Sequence, residues 1–425
     1  MTPSTLAAPP AVVPGVVAQH LEDAVSLRAL RSRLLRSPDV TLNQLVRADE
    51  RLAAHLDGLR LAGEHATRLS RVALGSPGVG EVFVATVLAI EQRDTAQIDR
   101  LLSLIGVVPD AARAMSSAFG WTPRHALRGL TTELLGSSSA AGRRLGLAAC
   151  AQHRVDPAGL VAEAAQHDDA ALRTRALRMA GELGRVDLLA LCLEHLGDDA
   201  PACRMAAAWA GVLLGDRSDA LQALHDIAAA PGPAQLEALP LFLASADPEA
   251  SRTLVRALAT RQAPVSTLIR AAGWAGDPQV VPWLIKHMDN EAHAPWAGEA
   301  FSFVTGADLV ALNLEKPGTA APANAPADAV PAEPIDDADT DLPWPDAEKI
   351  STWWQAKGSR FQPGTRYFVG EPPSVAHCIS VLKNGFQRQR IAAAEYLGLL
   401  QPGTPLFNVA APAWRQKRLL AQMDA

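Results

Sequence analysis

Aromatic residues make up only 5% of this 425-residue chain, and just two of them are tyrosine. Strand-forming side chains are therefore scarce, while Ala and Leu, both strong helix formers, dominate a hydrophobic fraction of 48%. That balance predicts an all-α fold. Cysteine is also sparse. Cys150, Cys192, Cys203 and Cys378 lie far apart and form no CxxC pair, which argues against a disulfide frame and against a zinc knuckle. The first three sit in apolar helical stretches, where a free thiol acts as a small hydrophobe. No apolar run approaches the 18 residues that a membrane span needs. The N-terminal stretch has no basic residue before Arg28, and Pro9, Pro10 and Pro14 interrupt it, so no secretory signal is expected and a cytoplasmic location is. A basic excess is missing too. The formal charge is −6, and residues 1–314 hold 28 bases against 33 acids. A helical-repeat protein that grips DNA needs a basic concave stripe, so no nucleic-acid partner is expected.

Catalytic signatures are equally absent. There is no Walker loop, GxGxxG, HExxH or GxSxG, and the eleven histidines are scattered. The densest ligand-type cluster is His287, Asp289, Glu291 and His293, at the junction of two helical segments, where capping carboxylates and surface histidines are ordinary. The expectation is no catalytic residue, no metal and no cofactor. The segment Asp49 to Asp57, with Arg51 and His55 four apart, reads as a solvated ion-pair face.

What the chain does have is a ladder. Asp156, Asp187, Asp216, Asp247, Asp277 and Asp308 recur at intervals of 31, 29, 31, 30 and 31 residues. Each falls between two Ala/Leu-rich segments, often just after a glycine, as at Gly184, Gly215, Gly276 and Gly306. A period near 30 is the mark of a stacked helix-pair repeat, and a solenoid of such pairs lets a long chain bury its apolar faces locally. First helices are predicted at about 140–152, 170–184, 201–214, 234–245, 264–275 and 292–304, with a second helix after each Asp. In this reading the Asp accepts free backbone N–H groups at the second helix's start, and the Gly ends the first helix in the left-handed conformation. The ladder is structural, not a catalytic or metal row.

Ahead of the repeats, helices are predicted over Val16–Arg36, Leu42–Leu61, Val79–Gln92, Ala96–Val107 and Pro123–Leu135. The second carries Leu45, Leu52, Leu56 and Leu59 on one face and Asp49, Glu50, Arg51, Asp57 and Arg60 on the other. The domain plan is a disordered leader (1–12), an N-terminal helical region (13–139), HEAT-like repeats (140–316), an acidic Ala/Pro linker (317–345) and a C-terminal aromatic/basic segment (346–425) that forms a small cap. Residues 315–350 hold nine acids and two lysines, while residues 351–425 hold nine bases and three acids. The tail is expected to hold two or three helices, with extended pieces at 360–370 and 405–410 that pair as a ribbon.

Trp, Tyr and Arg supply most of the energy at protein-binding hot spots. The candidates for partner contact are Trp344, Trp353, Trp354, Arg360, Phe361, Arg366, Tyr367, Arg388, Arg390 and Trp414. The competing role for the same tail is to dock on the solenoid and cover its last repeat, which would otherwise expose apolar surface.

The stretches Ala54-His55-Leu56-Asp57-Gly58-Leu59-Arg60, Ala176 to Gly184 and Ala207-Ala208-Trp209-Ala210-Gly211 resemble a proteobacterial family of HEAT-like repeat proteins. So do the tail elements Leu342-Pro343-Trp344-Pro345, Trp353-Trp354, Arg360 to Tyr367 and Gln387-Arg388-Gln389-Arg390. The resemblance covers nearly the whole chain. Genes of that family often lie beside those for type VI secretion spike, effector and adaptor proteins, and it has no assigned biochemistry, so no catalytic residue carries over. What it implies is a non-enzymatic accessory role: an adaptor or chaperone that binds a secretion effector or spike component. The alternatives are an immunity-type inhibitor of a neighbouring toxin and a HEAT-like repeat enzyme, either a lyase or a DNA glycosylase. A glycosylase would need a basic DNA track and an acid deep in an aromatic-lined cleft.

Overall fold

The computed structural model describes residues 12–316 and 339–423. Residues 1–11 of the expected leader and 317–338 of the expected linker lie outside the described residues. Among those described there are 22 α-helices, and strand pairing is confined to isolated bridges. The fold is all-α, as composition predicts. The chain divides into two compact units, the first made of Met1–Ser32 with Asn43–His153 and the second of Arg33–Leu42 with Arg154–Ala425.

The first unit contains α1 (Pro14–Leu34, whose last two residues fall in the second unit), α2 (Leu42–Ala62), α3 (Glu64–Ala73), α4 (Val79–Gln92), α5 (Thr95–Leu102), α6 (Ala111–Trp121), α7 (Leu130–Leu135) and α8 (Ala140–His153). Its core is organised on α4, buried without interruption from Val82 to Ile90. On α2 the predicted stripe of Leu45, Leu52, Leu56 and Leu59 is buried. Asp49 departs from the expected solvated face: it too is buried, because Arg31 of α1 reaches its carboxylate at 2.6 Å. His55 likewise meets His20 across the α1–α2 contact, Nδ1 to Nδ1 at 3.1 Å. The helices expected at 96–107 and 123–135 are shorter, α5 stopping at Leu102 and α7 starting at Leu130. Gly106 at φ 97° and Gly129 at φ 84° take left-handed backbone that a helix cannot contain.

The repeats follow in α9 (Leu160–Ala165), α10 (Ala170–Leu183), α11 (Leu189–Glu194), α12 (Pro201–Leu213), α13 (Asp219–Ala229), α14 (Gln235–Ser245), α15 (Pro248–Thr260), α16 (Val265–Ala275), α17 (Val281–His287) and α18 (Ala294–Thr305). Observed first helices α8, α10, α12, α14, α16 and α18 start and end within two residues of prediction. Within the second unit α10, α12, α14, α16 and α18 stack in succession, and the second helices pack beside them. Three ladder aspartates turn their carboxylates on nearby backbone N–H groups as expected of helix starts, Asp216 on Ala220, Asp247 on Ala250 and Asp277 on Gln279, and Asp308 makes the same kind of bond to Ala311. Asp156 accepts from Ala158. Asp187 differs: it lies inside the first turn and pairs with Arg185 at 2.5 Å.

The sixth repeat also departs from prediction. No helix follows Asp308, only turns to Asn313. The missing partner is supplied by α19 (Ala347–Lys357), which packs against α17. Leu342, Ala347, Ile350, Phe361 and Tyr367 enter one core with Ile269, Leu284, Trp296 and Phe301 of the repeats. Backbone bonds from Lys316 to Trp344 and from Asp346 to Leu314 stitch the two stretches together. Beyond α19 come α20 (Val375–Asn384), α21 (Gln387–Leu400) and α22 (Ala413–Gln422).

Candidate functional site

Two features of the second unit decide what its surface presents: how the tail is held, and what it encloses. The left-handed glycines that end α10, α16 and α18 serve as a rail. At Gly276 (φ 68°) the turn carbonyl accepts the N–H of Tyr367 at 2.8 Å, and a Cβ there would lie 2.2 Å from the Tyr367 carbonyl oxygen. At Gly306 the tail passes as closely, with Val369 bonded to Phe303 at 2.6 Å and Gly370 to Val304 at 3.2 Å. Farther along, Leu406 donates to Glu182 at 2.9 Å beside Gly184. The expected pieces at 360–370 and 405–410 thus do not pair with each other; each bonds to the end of a repeat helix.

Arg366 joins two such ends. Its guanidinium donates to the carbonyls of Ala244 (2.7 Å), Ala246 (2.6 Å) and Ala275 (3.3 Å), and to Ser251 Oγ at 3.0 Å. A cation there satisfies carbonyls that have no helical partner and sits at the negative ends of α14 and α16.

The ten candidate contact residues separate accordingly. Phe361 and Tyr367 are buried in the repeat core, with Trp354 stacked on Phe361 and Trp353 edge-on to Phe301. Arg360 lies over Phe361 and donates to Thr305 O at 3.1 Å. Trp344 is half-buried in the stretch stitched to Lys316. Arg390 is 0% exposed and bonds only neutral groups, Leu382 O, Gln387 Oε1 and Gln416 Oε1, tying α20, α21 and α22 together; burial draws its pKa down to about 10. These contacts tie the side chains to the repeats and to one another; Phe361, Tyr367 and Arg390 are buried, Trp344, Trp353 and Trp354 half-buried, and Arg360 exposed. Trp414, by contrast, is 45% exposed, flanked by Arg415 and Arg418. Of the ten, Tyr367 borders a small cavity and Arg388 reaches a larger one.

That cavity, about 300 Å³, opens between α21 and the first-helix row. α21 packs on α12 and α14 and presents Arg388, Ile391, Ala392 and Glu395 on one face. Opposite stand Leu236 and Pro240 of α14, Arg270, Gly273 and Trp274 of α16, and Trp296, Glu299, Ala300 and Phe303 of α18. One end is closed by an ion network. Arg388 grips both oxygens of Glu299 at 3.0 and 2.9 Å, donates to Asp339 at 2.6 Å and to Arg36 O at 2.8 Å. Asp339 also accepts from Arg270 and from the Trp296 indole at 3.0 Å. Burial holds the Glu299 carboxyl above the usual carboxylate range even against Arg388.

The other end is different. Glu395 has no arginine or lysine within ion-pair distance among the described residues. Burial pushes its carboxyl up to about 7, offset in part by a hydrogen bond from the Trp209 indole and by Arg178 at longer range. Arg178 is already bonded to Glu237 at 2.7 Å and lies over the Trp209 ring. Near the same end, Pro240 has no N–H for the carbonyl of Leu236 one turn earlier, so that acceptor is freed inside α14.

The sequence-predicted set therefore missed most of this site: Glu395, Glu299, Trp274, Trp296, Arg270 and Asp339. One signal was available. Glu299 and Glu395 are each the only charged residue in a long apolar stretch, Ala294–Thr305 and Ile391–Leu400. A lone acid in such a helix is either paired or functional. In the cluster at 287–293, His287 meets Trp283 and His293 edge-to-face, and among the described residues no group of three or more His, Cys, Asp or Glu is placed to hold a metal ion. Nor is any described helix long and apolar enough to cross a membrane.

Residues 157–239 match the family model described as HEAT repeats. No curated protein and no solved structure matches the chain. The match falls on α9 to α14, the start of the stacked rows, and this chain carries HEAT-like repeats.

Proposed function

We propose that this chain is a non-enzymatic protein-binding scaffold whose anchor point is the cavity between α21 and the repeat row. HEAT repeats generally mediate protein–protein interaction. The observation that carries the reading here is the make-up of the cavity. Trp274, Trp296 and Phe303 form its walls, and Leu236 and Ile391 stand at its rim 41% and 38% exposed. Aromatic and arginine groups around a pocket of side-chain size are what an interface hot spot needs.

A binding role fits the electrostatics better than a catalytic one. Arg270 and Arg388 are matched by Asp339 and Glu299, so no unpaired positive track leads to Glu395 as a glycosylase would need. Glu299 is held on both oxygens, which leaves one free carboxyl where paired acid–base chemistry uses two. The finer role is an adaptor or chaperone for a type VI secretion effector or spike component, and its support is the family resemblance of the sequence. Tagged chain expressed in a native host tests both levels. Recovery of a secretion component by the wild type, lost on filling the cavity with Ala392→Trp, is the expected result. Equal recovery by both forms would move the contact away from the cavity; no secretion component in either would remove the finer role. An immunity protein would instead show toxicity on gene deletion.

A further inference from the structure

We infer that the Glu395 end of the cavity is a lysine receptor: it takes the alkylammonium side chain of a segment of the partner protein. The inference rests on the scaffold reading above and gives it a ligand chemistry. The acid facing this end has one printed donor, the Trp209 indole, and no cation within ion-pair distance among the described residues. Glu395 offers a carboxylate without an ion-pair partner, and Leu236 offers a carbonyl that Pro240 cannot bond. Trp274 and Phe303 line the path, and aromatic rings suit both a methylene chain and the cation at its tip. The cavity's own cations are fixed elsewhere, Arg388 on Glu299 and Asp339, and Arg270 on Asp339. An entering carboxylate would meet Glu395 unpaired. An entering hydrocarbon would leave the Glu395 carboxylate without a cation. A compact ammonium with three N–H groups answers both.

Small residues keep the space open. Gly273 on α16 and Ala392 on α21 face it, and a Cβ on Gly273 would lie 2.8 Å from the Ala300 backbone. Filling is therefore best done from Ala392, on the tail side.

The test is a selection of random twelve-residue peptides on the full-length protein, its Glu395→Gln form and its Ala392→Trp form. Expected is a lysine enriched at one position on the wild type alone. The consensus peptide, made with lysine or with norleucine at that position, is then titrated by calorimetry. Norleucine should weaken binding to the wild type at least tenfold, while Glu395→Gln should bind the two peptides equally. This comparison needs no protein variant, so a misfolded variant cannot hide the answer. Equal binding of both peptides to the wild type overturns the lysine receptor and leaves the cavity as a binding site. The same peptides selected on wild type and Ala392→Trp, or none selected at all, overturn the cavity reading itself. Cadaverine binding as tightly as the peptide would point to a free amine and overturn the protein partner.

Discussion

The repeat rows and the segment after residue 339 obey opposite rules. In the rows one solution is used again and again: a helix, a left-handed glycine, a carboxylate on the next N–H groups. Contacts are made between neighbours, and the core is aliphatic. In the tail no unit repeats. Its residues reach back across 91 to 122 positions to the ends of repeat helices, as Arg366 does, and its aromatics enter a core already partly built. The difference teaches where specificity is kept. Repetition makes a stable rod with an apolar end and a row of bare carbonyls, and the tail turns those two liabilities into attachment points. What is left open between tail and rod is the cavity.

Removing the tail should show the largest effect. A chain ending at Lys316 loses Ala347 and, at about 1.5–3 kcal/mol each, the larger Leu342, Ile350, Phe361 and Tyr367 from the shared core. The sum approaches the total stability of a domain. Aggregation or loss of the cooperative unfolding transition is expected, read by light scattering and tryptophan fluorescence; eight of the nine tryptophans lie in the second unit. A soluble, cooperatively melting product would mean that the rows are self-sufficient.

Arg366→Ala comes next. It strips donors from Ala244, Ala246 and Ala275 and should cost about 3 kcal/mol in urea titration. Arg366→Lys should recover less than half of that, because an ammonium cannot span three carbonyls. Gly276→Ala is smaller, about 2 kcal/mol, from the left-handed backbone and from the tail displaced by the new Cβ. Gly364→Ala is its control: φ is 81° there but nothing lies within 4 Å, so only the conformational part, about 1 kcal/mol, should remain. Equal costs at the two glycines would show that the tail does not press on the rail.

The rows were legible because their physics is local. Period, glycine and aspartate all lie within one repeat, so first-helix limits came out within two residues. Reading failed where a long-range contact decides. Nothing near Asp308 says that its second helix is replaced by α19, which follows 317–338. Asp49 looks solvated until Arg31 is seen beside it. Phe361, Tyr367 and Arg390 were legible as important but not as internal, since residue type alone does not separate a docking anchor from a recognition anchor. Glu299 and Glu395 left a weak trace as single acids in apolar helices, and the reason one is gripped and the other is not lies in Arg388, one α21 turn pair away from Glu395 in sequence but at the opposite end of the cavity.

That contrast within the cavity supplies the subtlest prediction, a pH dependence. Glu395 has its folded pKa raised from 4.5 to about 7, so the folded state holds its proton more tightly than the unfolded chain. Stability from this group is fully present below pH 4.5 and is lost as pH rises to about 7, after which it is flat. The facing groups are Trp209 on α12, Arg178 on α10 and Glu237 on α14, with the latter two bonded to each other. Glu395→Gln removes the titration while keeping the shape. Its stability relative to the wild type should therefore rise by about 2 kcal/mol between pH 5 and pH 8, measured by urea unfolding at each pH. Glu299→Gln removes a carboxyl that burial likewise raises, so its pH trend runs in the same direction, but at pH 8 it should be less stable than Glu395→Gln because Arg388 is left with one carboxylate in place of two. If Glu299→Gln is no less stable than Glu395→Gln at pH 8, the two ends of the cavity are electrostatically equivalent, and the unmatched carboxyl on which a cationic ligand depends is not there.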